Sequence, residues 1–192
     1  MEYILPFCLG LALAACSGFR VFIPLLTANI AFLTGYLTPS AGMEWLGGWT
    51  AFAILASATL AEVVGYYFPY VDHLLDSVAT PASVVAGTLL MTSVLPSSEP
   101  ALKWALGLIV GGGSAGLVQA GTALLRLGST ATTGGLGNPV VASAENGLAT
   151  VFSIVGLFFP VFIAVIVLAM LYFIAVRLSR LRKRKNTGKS IG

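Results

Sequence analysis

The chain has 192 residues, of which 57% are hydrophobic and 9% charged, and its ten Lys and Arg against seven Asp and Glu give a net charge of +3. Its mean hydropathy is +0.95. Soluble domains carry roughly a quarter charged residues, so these few ionisable groups cannot coat a water-facing surface, which excludes a soluble globular domain and makes lipid the main solvent.

A membrane span needs about 20 mostly apolar residues. Six stretches qualify, at 3–37, 48–70, 79–96, 101–127, 139–156 and 160–176. The first is too long for one straight helix, which would exceed about 50 Å at ~1.5 Å per residue. It is expected to tilt or break, with Ser17-Gly18 as the break. Both cysteines, Cys8 and Cys16, fall in this stretch, with no second pair to suggest a disulfide framework or a metal site. Leu13-Ala14-Ala15-Cys16 looks like a lipoprotein processing box, but a cleaved signal needs a positively charged start and the only early charge is Glu2.

The connections at 38–42, 96–100 and 134–139 are rich in Pro, Gly and Ser, as turns require. Tyr36, Trp45, Trp49, Tyr66, Tyr67, Tyr70 and Trp104 gather at proposed span ends and read as interfacial anchors. The fourth stretch repeats small residues four apart, Gly107, Gly111, Ala115 and Gly112, Gly116, Ala120. That spacing lets a second helix backbone approach closely, and the same chain is favoured over a second subunit as its source, with a homo-oligomer left open. A faint internal repeat pairs Ser57-Ala58-Thr59-Leu60-Ala61-Glu62 with Ser114-Ala115-Gly116-Leu117-Val118-Gln119, each followed some twenty residues on by Pro81 or Pro139. The last two stretches are divided only by Gly156 and Pro160. A five-span alternative therefore makes 138–146 a re-entrant half-helix and runs one helix over 148–176.

The fold class expected is all-α: a polytopic transmembrane bundle over 1–176 with about six membrane segments, one of them broken or re-entrant. A basic tail follows over 177–192. Seven of the ten basic residues, Arg177, Arg180, Arg182, Lys183, Arg184, Lys185 and Lys189, lie in that tail, and by the positive-inside rule the C-terminus is cytoplasmic. No aromatic or fold context makes this basic run a nucleic-acid arm, so no nucleic-acid partner is expected.

Charges inside spans mark function, because an ionised group in hydrocarbon costs several kcal/mol (roughly 3 or more). Arg20, Glu62 and Glu145 qualify. One guanidinium and two carboxylates can form a buried cluster in which the unmatched carboxylate takes a proton or a cation, or they can form an ion pair that only locks helix positions. Asp72, His73 and Asp76 would share one face of a helix after Pro69, and paired carboxylates suit a divalent cation such as Mg²⁺ or Ca²⁺. Solvated or helix-capping acidic residues look the same. Ser129 to Pro139 is the strongest polar signature. Its glycines free backbone groups, Thr132 and Thr133 add hydroxyls, Asn138 can cap a helix starting at Pro139, and Asn146 follows Glu145. A flexible connector is the plain alternative. With no nucleophile elbow and a single histidine, hydrolytic chemistry is poorly supported.

Ser17-Gly18-Phe19-Arg20 with Pro24, then Glu62, Pro69, Asp72 and Asp76, then Thr130 through Pro139 with Glu145, resemble the pattern of a bacterial family of small multi-pass proteins, domain of unknown function 4126. The resemblance covers most of the chain. It departs at Tyr66-Tyr67, where many relatives carry an Asp-Lys pair, which removes one charge of each sign. It implies an integral membrane fold and brings no substrate. From the residues, the leading expectation is a small inner-membrane transporter or ion-conducting protein for a small ion or small molecule, with Arg20, Glu62, Asn138, Glu145, Asn146, Thr132 and Thr133 as binding residues. The alternatives are an enzyme acting on a lipid-linked phosphate with a metal at Asp72 and Asp76, and a membrane scaffold.

Overall fold

The computed structural model describes residues 3–96 and 99–189, with side chains for all of these except 69–74, 76 and 178–189. Its elements are α1 (Ile4–Cys16), α2 (Phe22–Leu33), a single 3₁₀ turn (Glu44–Gly47), α3 (Trp49–Gly65), α4 (Pro69–Val94), α5 (Pro100–Leu106), a π-helical stretch (Gly107–Gly112), α6 (Gly113–Thr133), α7 (Asn138–Phe158) and α8 (Pro160–Lys189). No strand occurs among the described residues. Ser77–Val94, Pro100–Thr133, Asn138–Phe158 and Pro160–Arg177 are long and apolar enough to cross a bilayer. At ~1.5 Å per residue, α1 and α2 are about 20 Å long or less, short of the ~30 Å hydrocarbon thickness.

The first apolar stretch breaks where expected, but it does not cross as one interrupted span. It folds back on itself. Ser17 closes α1, with its amide donating to Leu13 O and its hydroxyl to Ala14 O at 2.6 Å, and Gly18 and Phe19 complete the turn with bonds to Ala15 O and Cys16 O. Leu5, Pro6 and Leu9 at the start of α1 then border the same cleft as Tyr36 and Leu37, which follow α2. Within the hairpin, Leu9 and Leu13 share a core with Val21, Leu25 and Phe32. Gly18 permits the turn to dock, since a Cβ there would collide with Ala115 O and the Val118 side chain.

The remaining helices alternate in direction around this hairpin. α3 begins beside α2's far end, where Asn29 Nδ2 donates to Leu46 O and to Gly48 O, and it ends with Glu62 beside Val21 at the hairpin tip. α4 rises from the tip end, with Ser83 O accepting from the Ser17 hydroxyl, to Thr92 and Ser93, whose carbonyls hold Ser40. Lys103 of α5 starts the descent by donating to Ser40 Oγ at 2.9 Å and Ala41 O at 2.6 Å. Pro160 at the start of α8 borders the cleft that holds Leu5 and Leu9 of α1, and Ile174 packs at Gly121 of α6, so α8 runs from the α1 start toward the hairpin tip.

α1 is the central element: every residue from Leu9 to Cys16 is buried. Its Gly and Ala content allows this, because small side chains let α4, α6, α7 and α8 pack close around it. The glycine-rich fourth stretch finds its partner within the chain. Gly87 and Gly111 put the backbones of α4 and the π stretch in direct contact, a Cβ on Gly107 would lie 3.1 Å from Thr88 O, and one on Gly112 would lie 2.7 Å from Thr88 Oγ1. Outward faces are apolar, as at Ile109, Val140, Val165 and Phe173, while Arg20, Glu62, Lys103, Arg126 and Glu145 are inside. This inverts the soluble pattern and suits lipid as the surrounding solvent.

Three expectations change. The 138–146 half-helix with one helix over 148–176 does not form: α7 is continuous from Asn138 to Phe158, and the chain breaks at Phe159 before Pro160 begins α8. Ser129 to Thr133 extend α6 as helix, leaving only Gly134 to Gly137 as a turn, with Gly134 and Gly135 at positive φ. The prolines offered as matching marks of a repeat do not match in place, since Pro81 lies inside α4 and Pro139 in the first turn of α7.

Gly18→Ala is expected to lower stability by about 1–3 kcal/mol, because Ala115 O and Val118 leave no room. Gly113→Ala, whose Cβ meets open space, should raise it by about 0.5–1 kcal/mol through helix propensity. Unfolding of the two variants in one detergent measures the difference.

Candidate functional site

Arg20 is the last residue of the hairpin turn and is 1% exposed. Its Nε donates to Asn146 Oδ1, its Nη2 donates to Ala142 O at 3.2 Å, and the same Nη2 lies 3.3 Å from Glu145 Oε2. α7 supplies all three partners because Ala142 and Asn146 stand one turn apart on the face that also carries Glu145. Arg126, on α6, takes Glu145 from the other side in a two-pronged contact, Nε to Oε1 at 3.2 Å and Nη2 to Oε2. Glu145 therefore joins α6, α7 and the hairpin through one carboxylate. Such planar bidentate pairs are the strong form of charge-assisted hydrogen bond.

Tyr66 completes the packing. The Arg20 guanidinium carbon lies 3.7 Å from its ring centroid and that of Arg126 lies 4.2 Å away, so the aromatic face serves both cations. Tyr66 is 5% exposed, which corrects its reading as an interfacial anchor. Its neighbour Tyr67 is exposed and hydrogen bonds with Ser143.

Glu62 caps α2. Its Oε1 accepts from the Val21 amide at 2.8 Å and its Oε2 from the Phe22 amide at 3.0 Å, so two of the free amides at that helix start meet a negative group on α3. Glu62 also attracts Arg20 electrostatically. One Arg20 donor, Nη1, is buried and has no hydrogen-bond partner among the described residues.

Of the residues expected to bind, the fold brings Arg20, Glu62, Glu145 and Asn146 together. It keeps Thr132, Thr133 and Asn138 apart from them, at the α6–α7 turn. There Thr132 Oγ1 donates to Gly128 O, Thr133 Oγ1 accepts from the Gly137 amide, and Asn138 bonds Thr130, so Asn138 does not cap α7 through its side chain. Asp72, His73 and Asp76 lie on the first turns of α4, and their side chains fall outside those described. Among the described residues, no group of three His, Cys, Asp or Glu could hold a metal ion.

Arg126 supplies a second cation on Glu145, beyond the three charges read from the sequence. Sequence reading passed over it because it stands at the end of its apolar stretch. A signal was present: Ser114, Val118, Thr122 and Arg126 recur four apart, and with Ala115 and Gln119 they are the buried stripe of α6.

Removing one partner of a buried pair leaves the other charge uncompensated. Glu145→Gln should therefore destabilise the folded chain by about 3–5 kcal/mol. Tyr67→Phe, at an exposed hydrogen bond, should change stability by less than about 0.5 kcal/mol. Denaturation of both variants against wild type in one detergent checks the contrast.

No curated protein and no solved structure matches the chain. A family model does, over residues 7–180. The cluster, the broken first segment and the α6–α7 turn all fall within that match, and the chain belongs to the family described as domain of unknown function (DUF4126).

Proposed function

We propose that this chain is a small integral membrane transporter or ion-conducting protein whose polar site is the cluster at the hairpin tip, formed by Arg20, Glu62, Glu145 and Asn146 with Arg126. The observation that carries the reading is the convergence, among the described residues, of two guanidiniums and two carboxylates, none more than 5% exposed, at the tip where α1 turns back into α2 inside the bundle. Ionised groups in apolar surroundings are rare and mark ion or substrate pathways. Buried helix starts present free backbone amides to negative groups, as the start of α2 does to Glu62.

The buried Nη1 of Arg20 adds a donor with no hydrogen-bond partner among the described residues, which a bound acceptor would satisfy. Thr132, Thr133 and Asn138 form a polar rim at the α6–α7 turn, at the same end of the bundle as the cluster. Arg177 and the basic residues after it belong to α8, which runs toward that end. By the positive-inside rule the cluster then faces the cytoplasmic side of a bacterial inner membrane.

Reconstituted in liposomes, the protein is expected to carry an ion flux above that of protein-free liposomes in a panel of chloride, formate, sodium, potassium and protons. Glu62→Gln should change that flux at least tenfold while eluting as the wild-type species. Flux equal to protein-free liposomes for every ion contradicts the assignment.

A further inference from the structure

The first turn of α2 is an anion position that already has an occupant. Both Glu62 oxygens sit on its amides, and the residue directly before that turn is Arg20, whose buried Nη1 has no hydrogen-bond partner among the described residues. We propose that the hairpin tip binds a compact monovalent anion between Arg20 Nη1 and the Val21 and Phe22 amides, and that the Glu62 carboxylate is a tethered competitor for the same amides. The inference rests on the reading of the cluster as an ion site and names the class of ion.

Three features of the site favour an anion. Backbone amides at a helix start are donors only, and the positive end of the helix dipole points at the same place. The free group on Arg20 is likewise a donor and cannot ligate a cation. An incoming anion also takes over the two amides and the dipole attraction that the Glu62 carboxylate held, so its charge meets donors already positioned for a negative group. Glu145 is not the group exchanged. Arg126 and Arg20 hold it from two elements, whereas Glu62 is held by two amides of a single turn.

The size of the guest follows from the packing. Phe19, Val21 and Ile23 around the turn are buried, and Arg20 is closed in by Tyr66 and α7. Only an ion about as large as the carboxylate it displaces can occupy the position. Chloride and formate meet that condition, and gluconate does not.

The test is a titration of the full chain in nanodiscs, with sodium chloride or sodium formate exchanged against sodium gluconate at constant ionic strength and the melting temperature as readout. Wild type should be stabilised saturably by chloride or formate. In Glu62→Gln, which removes the competing charge and keeps an amide acceptor, half-saturation should fall at least tenfold lower. Arg20→Lys keeps the charge but loses the guanidinium fork, and should lose the anion-specific stabilisation. Melting that is indifferent to the anion in wild type overturns the inference, as does half-saturation in Glu62→Gln at or above the wild-type concentration. Should Glu62→Gln fail to fold, the wild-type and Arg20→Lys titrations decide it. An indifferent titration in a protein that conducts only cations overturns this inference and leaves the transport reading standing. Anion-dependent melting without flux of any ion does the reverse.

Discussion

A single carboxylate, that of Glu145, holds two guanidiniums from two different directions, and the arrangement of the bundle depends on it. Arg20 reaches it from the hairpin turn and Arg126 from α6. That meeting point helps fix the tip of a hairpin of two helices of about 20 Å, with its broken hydrogen-bond ladder, among longer helices. The tip is instead tied to α6 by Gly18 packing, to α4 by Ser17, to α7 by Arg20 and to α3 by Glu62. Charge burial here replaces the water that would otherwise satisfy a helix break.

Close backbone packing makes this geometry reachable. Gly87 against Gly111 draws α4 onto the π stretch, and the small residues of α1 let four helices surround it. The π stretch lies where the three glycines Gly107, Gly111 and Gly112 meet α4, above the polar stripe of α6 that ends at Arg126. Helix placement and charge placement therefore share a single registry. Shifting α6 by one turn would move Arg126 about 5 Å, out of reach of Glu145.

Much of this was legible in the residues. Composition gave the membrane, Ser17-Gly18 gave the break, and the three charges buried in apolar stretches gave most of the cluster. The direction of the chain after the break was hidden, because a hydropathy run has no sign: a crossing helix and a returning hairpin read alike until Tyr36 and Leu37 are seen beside Leu5 and Leu9. Arg126 was obscured by its position at a segment end, where a cation usually faces headgroups. Tyr66 was obscured for the same reason: like Tyr67 it follows the end of α3, yet its ring is buried beneath two guanidiniums while that of Tyr67 is exposed. The Ser129 to Thr133 run looked like a loop because its residue types prefer turns, yet those hydroxyls bond back to helix carbonyls, as Thr132 does to Gly128 and Thr133 to Ser129.

The central claim is that Arg20 and Glu145 are energetically coupled across more than a hundred residues of chain. A double-mutant cycle built from Arg20→Gln, Glu145→Gln and the double variant, measured by reversible unfolding in bicelles, tests it most directly. A coupling energy of about 1–3 kcal/mol is expected for groups in one buried network. Strict additivity of the two substitutions would contradict the account.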